Sequence, residues 1–392
     1  RMKFSFTEEQ EAFRQEVRSF LKQELPPDWI GLEGIGDAYA THEVWVFQRA
    51  FRRKLAARGW LTLSWPKEYG GQGRSVMYQS IFNEEMGYYR APNIGIGSSF
   101  VGPSLMRHGR EDQKRQYLQA ISRDEIDFCE GFTEPGSGSD LGSLKTRAEL
   151  QGDYWVINGQ KIFTSRAHRA DICWLAARTD PGAPKHQGIS IFLVDLKTPG
   201  ITIRPIHDMR GIHYFNEVFY DNVHIPRENL VGQLNNGWHM IITTLDFERV
   251  TFGAGVGLVA GCRRMLEEMV GLANKNGKGH DSKTRHRLAE TAIELDLARL
   301  FAYRVAWMHD QGLAPSAEAS MAKVYSSETK QRLAAAAMQL LGYYGQLGPE
   351  SKWAPLKGAL EEFCLYSVSE TIGAGTSEIQ RNIVAIRGLG LP

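Results

Sequence analysis

Gly131-Phe132-Thr133-Glu134-Pro135-Gly136-Ser137-Gly138-Ser139-Asp140, with Asn158-Gly159-Gln160-Lys161-Ile162-Phe163-Thr164-Ser165 after it, is the stretch on which the reading of this chain turns. Its first half offers closely spaced backbone N–H groups and hydroxyls with little side-chain bulk, which suits a pyrophosphate or the polar edge of a ring system. A Gly/Ser-rich run alone is more often a plain loop. The second half adds an aromatic face beside two hydroxyls. Together, in this order, the halves point to a phosphate-bearing ring cofactor such as a flavin nucleotide.

Working outward, the hydrophobic period is two from about residue 131. Tyr154–Ile157 reads as a strand, Asn158-Gly159 as a type I′ turn and Lys161–Phe163 as the returning strand. Runs at 172–177, 189–196, 201–206 and 217–225 complete an antiparallel β domain, with 181–187 as a polar loop. Upstream the period is helical. Thr7 and Gln10 form a capping-box pattern, Phe13, Val17, Phe20 and Leu21 follow at helical spacing, and Pro26-Pro27 ends the run. Further helices are predicted at 44–57, 78–88 and 111–121, with Gly70–Gly73 as a turn. Downstream of Gly237 the helical period returns at 242–274, 284–310, 315–341 and 354–388, with Pro315 at the first helical position and Pro349 in a loop. Four long amphipathic helices predict a bundle. The predicted fold is α+β and mainly helical: a helical N-terminal domain (1–130), an antiparallel β-sandwich-like middle domain (131–236) and a C-terminal four-helix bundle (237–392).

The composition sets limits on function. The 392 residues carry 46 basic and 45 acidic side chains for a formal charge of +1, with no run of like charges, so nucleic acid is not an expected partner. Cys129, Cys173, Cys262 and Cys364 lie far apart among apolar neighbours, as reduced, buried thiols would. The eleven histidines show no metal-ligand spacing, and no metal is expected. Arg1 before Met2 reads as a tag remnant, and Lys3-Phe4-Ser5-Phe6 has no leader character. No segment has the ~18 apolar residues of a membrane span. A cytoplasmic protein is expected.

The two quoted halves, together with Gly373-Ala374-Gly375-Thr376-Ser377-Glu378-Ile379-Gln380-Arg381 near the C-terminus, resemble the signatures of the acyl-CoA dehydrogenase family of flavoproteins. The resemblance covers the whole chain. It implies FAD held between the β domain and the bundle and across a subunit interface, in a homotetramer built as a dimer of dimers. Matched position by position, Phe132, Thr133 and Ser139 meet the flavin ring and pyrophosphate, and Phe163 and Ser165 meet the isoalloxazine. Gln339, Gly342 and Tyr343 of a neighbouring subunit reach the distal end of FAD, and Thr376 and Glu378 add C-terminal contacts. Phe163 departs from the family's usual tryptophan, which keeps an aromatic face and loses the indole N–H. Residues 271–287 depart further, because the family's Arg-x-x-Phe-Gly is missing there. Lys278, Lys283 or Arg285 replaces its charge, or the segment is a solvated connection.

The implied reaction needs a carboxylate to remove the proton α to a thioester carbonyl. Many relatives carry a glutamate where Ala374 stands. Leu245-Asp246-Phe247-Glu248-Arg249 is similar to isovaleryl-CoA dehydrogenase and long-chain members, which carry the base at the position of Glu248. Glu248 is therefore the expected base, with Glu370 its rival, and the Ala374 backbone N–H the expected donor to the thioester oxygen. Asp246, Arg249, Ser98, Ser99 and Ser139 are the expected acyl-CoA contacts. The expected product is a trans-2-enoyl-CoA, the electrons passing to an electron-transfer flavoprotein, with a branched, cyclic or aryl-substituted acyl group as substrate. Two other readings accompany it: an FAD-sharing or non-catalytic subunit of a heteromeric complex, and a flavin oxidase or monooxygenase on the same fold.

Overall fold

The computed structural model describes residues 5–27, 29–31, 41–248 and 255–392. Eleven α-helices and a mixed sheet of eight strands are found there. The N-terminal helices are α1 (Glu8–Glu24), α2 (His42–Ala57), α3 (Val76–Tyr88), α4 (Gly102–His108) and α5 (Glu111–Ser122). The Thr7–Gln10 capping box forms in full, each side chain accepting the other's backbone N–H. The sequence reading missed α4 and the single π-helical turn before it, Gly97–Val101, a short segment rich in Gly and Ser. The strands are β1 (Phe128–Gly131), β2 (Arg147–Gln151), β3 (Tyr154–Lys161), β4 (Ile172–Arg178), β5 (Ile189–Asp195), β6 (Ile201–His207), β7 (His213–Pro226) and β8 (Leu230–Val231). They are followed by α6 (Gly237–Glu248), α7 (Val256–Lys275), α8 (Ser282–Asp310), α9 (Ser316–Leu341), α10 (Ala359–Glu370) and α11 (Ser377–Ile383).

By packing, the chain forms two compact units. The first gathers α1, α3 and everything from Glu248 onward; the second holds α2, α4, α5, the sheet and α6. In the first unit, α7 to α10 pack around Met265, Met269, Leu295, Leu333, Ala337 and Phe363. Glu84 and Glu85 of α3 bind Arg14 of α1, and Glu84 also takes Arg299 and the Tyr303 hydroxyl of α8. Burial would raise the Glu84 carboxyl, yet these cations hold it below the usual carboxylate range.

The second unit is built on a sheet of order β6-β7-β3-β2-β4-β5-β8, with β1 also on β4. Most neighbours are antiparallel, but β1 and β2 each run parallel to β4. Trp155, Ile157, Phe192, Val218 and Ile225 anchor its core. Gly237 starts α6 against β5, where a Cβ would lie 2.7 Å from the Ile189 carbonyl oxygen.

Four local backbone expectations are corrected. Asn158-Gly159 is not a turn: β3 runs through it, and the hairpin to β2 closes at Gly152-Asp153, with Gly152 at φ +61. Gly159 instead sits at a register slip against β7, where a Cβ would lie 2.5 Å from the Thr146 hydroxyl. The helix expected over 242–274 is two helices, α6 and α7, and Gly255 in extended backbone caps the second. The helix expected over 354–388 breaks at 371–376, because Ala374 (φ +54) and Gly375 (φ +86) are left-handed and a right-handed helix cannot continue through them. Pro315 sits one residue before the first helical position. Cys129, Cys173 and Cys262 are buried, whereas Cys364, also expected to be, is only half-buried. No helix among the described residues is long and apolar enough to cross a membrane.

Candidate active site

The loop after β1 is held by a buried ion pair. Lys161, fully buried at the end of β3, donates to Glu134 at 2.8 Å and to the Phe132 carbonyl at 3.0 Å. Glu134 also accepts the backbone N–H groups of Lys145 at 2.6 Å and Thr146 at 2.8 Å. Burial would raise the Glu134 carboxyl; the Lys161 charge and these N–H groups hold it low. Glu134 and Ser137 exchange backbone hydrogen bonds at 3.0 Å, and the Ser137 hydroxyl donates to the Asp140 carbonyl. The clamp leaves Thr133 half-buried and Gly136, Gly138 and Ser139 at the surface, with Phe132 buried beneath. A Cβ at Gly136 or Gly138 would meet nothing within 4 Å, so the space above the loop is open to a ligand.

Beyond Lys161 the backbone turns sharply. Phe163 has φ +55 and Arg166 φ +60, and the Phe163 ring is 54% exposed, edge-on to Phe215. The expectation of a strand residue at Phe163 is thus replaced by an exposed ring on strained backbone, a state retained where surrounding structure enforces it. The enforcing residue is Asn216 of β7, itself fully buried. Its carbonyl accepts the Thr164 N–H at 3.0 Å and its side-chain amide donates to the Thr164 carbonyl at 2.9 Å. Its Oδ1 lies 2.8 Å from His213 Nε2 and 3.2 Å from His168 Nδ1, and the two imidazoles stack at 3.8 Å. Ser165 is left half-buried between these fixed neighbours.

Burial, reinforced by the His213 and Arg169 charges, lowers His168 from 6.5 to about 4. Between these values an opened turn takes up a proton that the closed one refuses, so falling pH favours opening. Protection of the Thr164 amide, the intrinsic over the observed exchange rate, should therefore fall from pH 6.5 towards pH 4, and His168→Gln should flatten the trend. An unchanged slope in the variant would remove His168 as its cause.

In the helical unit, the break after α10 forms a turn whose two carbonyls face buried side chains. Gln380 Nε2 donates to the Ala374 carbonyl at 2.9 Å and Lys323 Nζ to the Gly375 carbonyl at 2.9 Å. Among the described residues, the Ala374 and Gly375 N–H groups have no acceptor. Glu248, half-buried at the end of α6, lies within electrostatic reach of Lys323. Glu370 is ion-paired at 2.9 Å with Lys330, whose ammonium also lies over the Phe363 and Tyr366 rings.

Known proteins of the same build decide the family. Residues 7–125, 129–223 and 235–389 match the profiles described as "Acyl-CoA dehydrogenase, N-terminal domain", "middle domain" and "C-terminal domain". The chain belongs to the acyl-CoA dehydrogenase family. It is an oxidoreductase acting on CH–CH donors. Acyl-CoA dehydrogenase IpdE1 of Mycobacterium tuberculosis is 37% identical over 385 residues, 97% of this chain and 98% of that one. Among solved structures, the one named "Tcur3481-Tcur3483 steroid ACAD" matches all of both chains at TM-score 0.90 and 37% identity. The ChsE4-ChsE5 complex of Mycobacterium tuberculosis matches at TM-score 0.88 and 34% identity, again over all of both chains.

For an acyl-CoA dehydrogenase, the remaining expected contacts fall as follows. A cleft of about 560 Å³ in the helical unit is lined by Gln331, Arg332, Thr371, Thr376, Glu378 and Arg381. Thr376 also caps α11, accepting the Ile379 N–H. Gln339, Gly342 and Tyr343 cluster at the end of α9, with Gly342 at φ +57 and Tyr343 89% exposed. Lys278 donates to the Leu340 carbonyl there, whereas Lys283 and Arg285 lie in the first turn of α8. The Ser98 and Ser99 hydroxyls are buried and bonded to the carbonyls of Ile94 and Gly95. Asp246 is half-buried on α6, and Arg249 lies outside the described residues. Sequence reading missed the roles of Lys161, Asn216, Lys323 and Gln380. Lys161 and Gln380 stood inside quoted motifs; nothing marked Asn216 or Lys323.

Proposed function

We propose that this chain is an FAD-dependent dehydrogenase that converts an acyl-CoA thioester to its trans-2-enoyl-CoA, with an electron-transfer flavoprotein as electron acceptor. The observation that carries the reading is the Phe163 ring, exposed on left-handed backbone and fixed by Asn216 next to the Glu134–Lys161 clamp. The backbone at Gly136 and Gly138 is unobstructed, which leaves a dinucleotide free to approach it. Phe132, Thr133 and Ser139 would meet its ring and pyrophosphate, Phe163 and Ser165 its isoalloxazine, and Gln339, Gly342 and Tyr343 of a neighbouring subunit its distal end, with Thr376 and Glu378 adding C-terminal contacts. Bound FAD supplies the hydride acceptor.

The protein's own groups supply the rest. Glu248 removes the α proton, and its affinity for that proton rises when the acyl group displaces water. The Ala374 N–H, without an acceptor among the described residues, donates to the thioester oxygen as charge develops there. Asp246, Arg249, Ser98, Ser99 and Ser139 border the acyl-CoA. The domain segments are 1–130, 131–236 and 237–392, and the protein acts in the cytoplasm.

Likeness to a dehydrogenase named for steroids narrows the substrate lean to a CoA thioester with a bulky cyclic acyl group. The missing Arg-x-x-Phe-Gly at 271–287, a neighbour solved as the ChsE4-ChsE5 complex and another whose name joins Tcur3481 with Tcur3483 favour assembly with a related second chain over the homotetramer of the wider family. The test is an anaerobic titration with straight, branched, aryl and polycyclic acyl-CoAs, on the chain alone and co-expressed with a related chain. Bleaching of the flavin by the polycyclic class, with higher flavin content in the co-expressed sample, is the expected result. A yellow protein that no thioester bleaches would overturn the reading.

A further inference from the structure

Lys323 is a lysine in the wrong place for a solvated charge. It sits on α9 at 1% exposure, forms no ion pair among the described residues, and spends its ammonium on one backbone carbonyl, that of Gly375. Burying a cation without a carboxylate at bonding distance is costly, and such groups concentrate where a reaction uses them. Burial pulls its pKa below the lysine range, while Glu370, Glu248, Glu328 and Glu378 raise it in part. Two of these four have nearer partners, Glu370 in Lys330 and Glu328 in Arg381.

The carbonyl it holds belongs to the Ala374 turn. In a trans peptide the N–H and C=O point opposite ways. Drawing the Ala374 carbonyl to Gln380 turns the Gly375 N–H away from the core; drawing the Gly375 carbonyl to Lys323 does the same for Thr376. Two buried side chains from different helices thus fix two successive peptides, and they keep Ala374 at φ +54, unusual for a residue with a Cβ. Gln380 provides the tether without charge. Lys323 provides both.

We infer that Lys323 is a positioning residue for the dehydrogenation: with Gln380 it locks the Ala374–Gly375 and Gly375–Thr376 peptides, so that Ala374, whose own N–H on the preceding peptide meets the thioester oxygen, is held left-handed at a turn that carries a buried positive charge. The inference rests on the proposed function of Ala374 and Glu248. As the α proton leaves, negative charge grows on the thioester oxygen, and a fixed cation beneath the turn favours that change over the neutral ground state. Removing Lys323 should therefore depress kcat far more than substrate affinity.

The experiment compares Lys323→Met, Lys323→Arg and Gln380→Leu in the full-length, flavin-loaded enzyme, using the acyl-CoA that best bleaches the wild type. Lys323→Met should keep its flavin content and KM while kcat falls about 10- to 100-fold, less than the loss of an oxyanion donor itself. Lys323→Arg should recover most of that loss, and Gln380→Leu should show a smaller fall. A wild-type kcat in Lys323→Met overturns the inference, as does a joint loss of flavin, KM and kcat that arginine does not rescue. Should Lys323→Met fail to accumulate, a wild-type kcat in Gln380→Leu or an arginine variant without turnover overturns it equally. Glu248→Gln separates the two layers: a fully active Glu248→Gln sinks the base assignment, whereas an inactive one beside an unaffected Lys323→Met sinks only the role of Lys323.

Discussion

Glu248→Gln is expected to lower acyl-CoA-driven flavin reduction by about 10³-fold while flavin content stays at the wild-type level. The amide keeps the size and hydrogen-bonding reach of the carboxylate and loses the ability to accept a proton. The rival, Glu370, is engaged with Lys330, and that lysine is buried to 1% exposure. That contact turns the Glu370 carboxylate towards a structural partner inside the protein rather than towards a substrate. Glu370→Gln should therefore show a different signature, a lower melting temperature from stranding Lys330, with turnover per folded molecule largely kept. Stopped-flow reduction of both variants with the same thioester decides the matter. Normal reduction in Glu248→Gln with none in Glu370→Gln would reverse the assignment.

The second large effect is expected at the loop clamp. Lys161→Met should cost about 3–5 kcal/mol of stability, because it leaves Glu134 buried and charged without its cation. The flavin should be lost with it, since the Phe132 carbonyl and the Glu134 carboxylate are both released. Glu134→Leu in the same chain should not restore stability, because the Lys145 and Thr146 N–H groups would then lack the acceptor they now share. Denaturant melts and flavin content of the single and double variants test this. A double variant as stable as wild type would show that the clamp is only an ion pair and does not order the loop.

Much of this fold was legible because the long segments carry strong periodic patterns. The capping box at Thr7 and the bundle helices α8 and α9 fall where spacing put them. The errors gather where tertiary contact overrides a local signal. Asn-Gly is a hairpin signal, yet Thr146 crossing over Gly159 demands a residue without a side chain there, so the dipeptide lies inside a strand. The break at Ala374 was hidden because alanine favours helix, and only Gln380 and Lys323 reaching its turn reveal the cost of keeping it left-handed. The motif residues at the site were legible as a pattern. The groups that hold them were not, because a buried asparagine on β7 or a buried lysine on α9 has no signature until the chain is folded.

The interleaving of the two compact units also bears on how the chain is made. Arg14 near the N-terminus bonds Tyr303, 289 positions later, and Glu84 of α3 awaits Arg299. At the usual 5–20 residues per second, α1 meets α3 within roughly 3–15 s, but Glu84 of α3 then waits roughly 10–45 s for Arg299 of α8. The α1–α3 pair, in which Phe13 meets the Tyr78 ring, must be kept from wrong partners throughout that interval. The nascent chain therefore presents an unfinished surface until translation is well advanced, and holdase chaperones acting on the α1–α3 pair should raise the yield of this protein more than an extra stabilising contact in the sheet would.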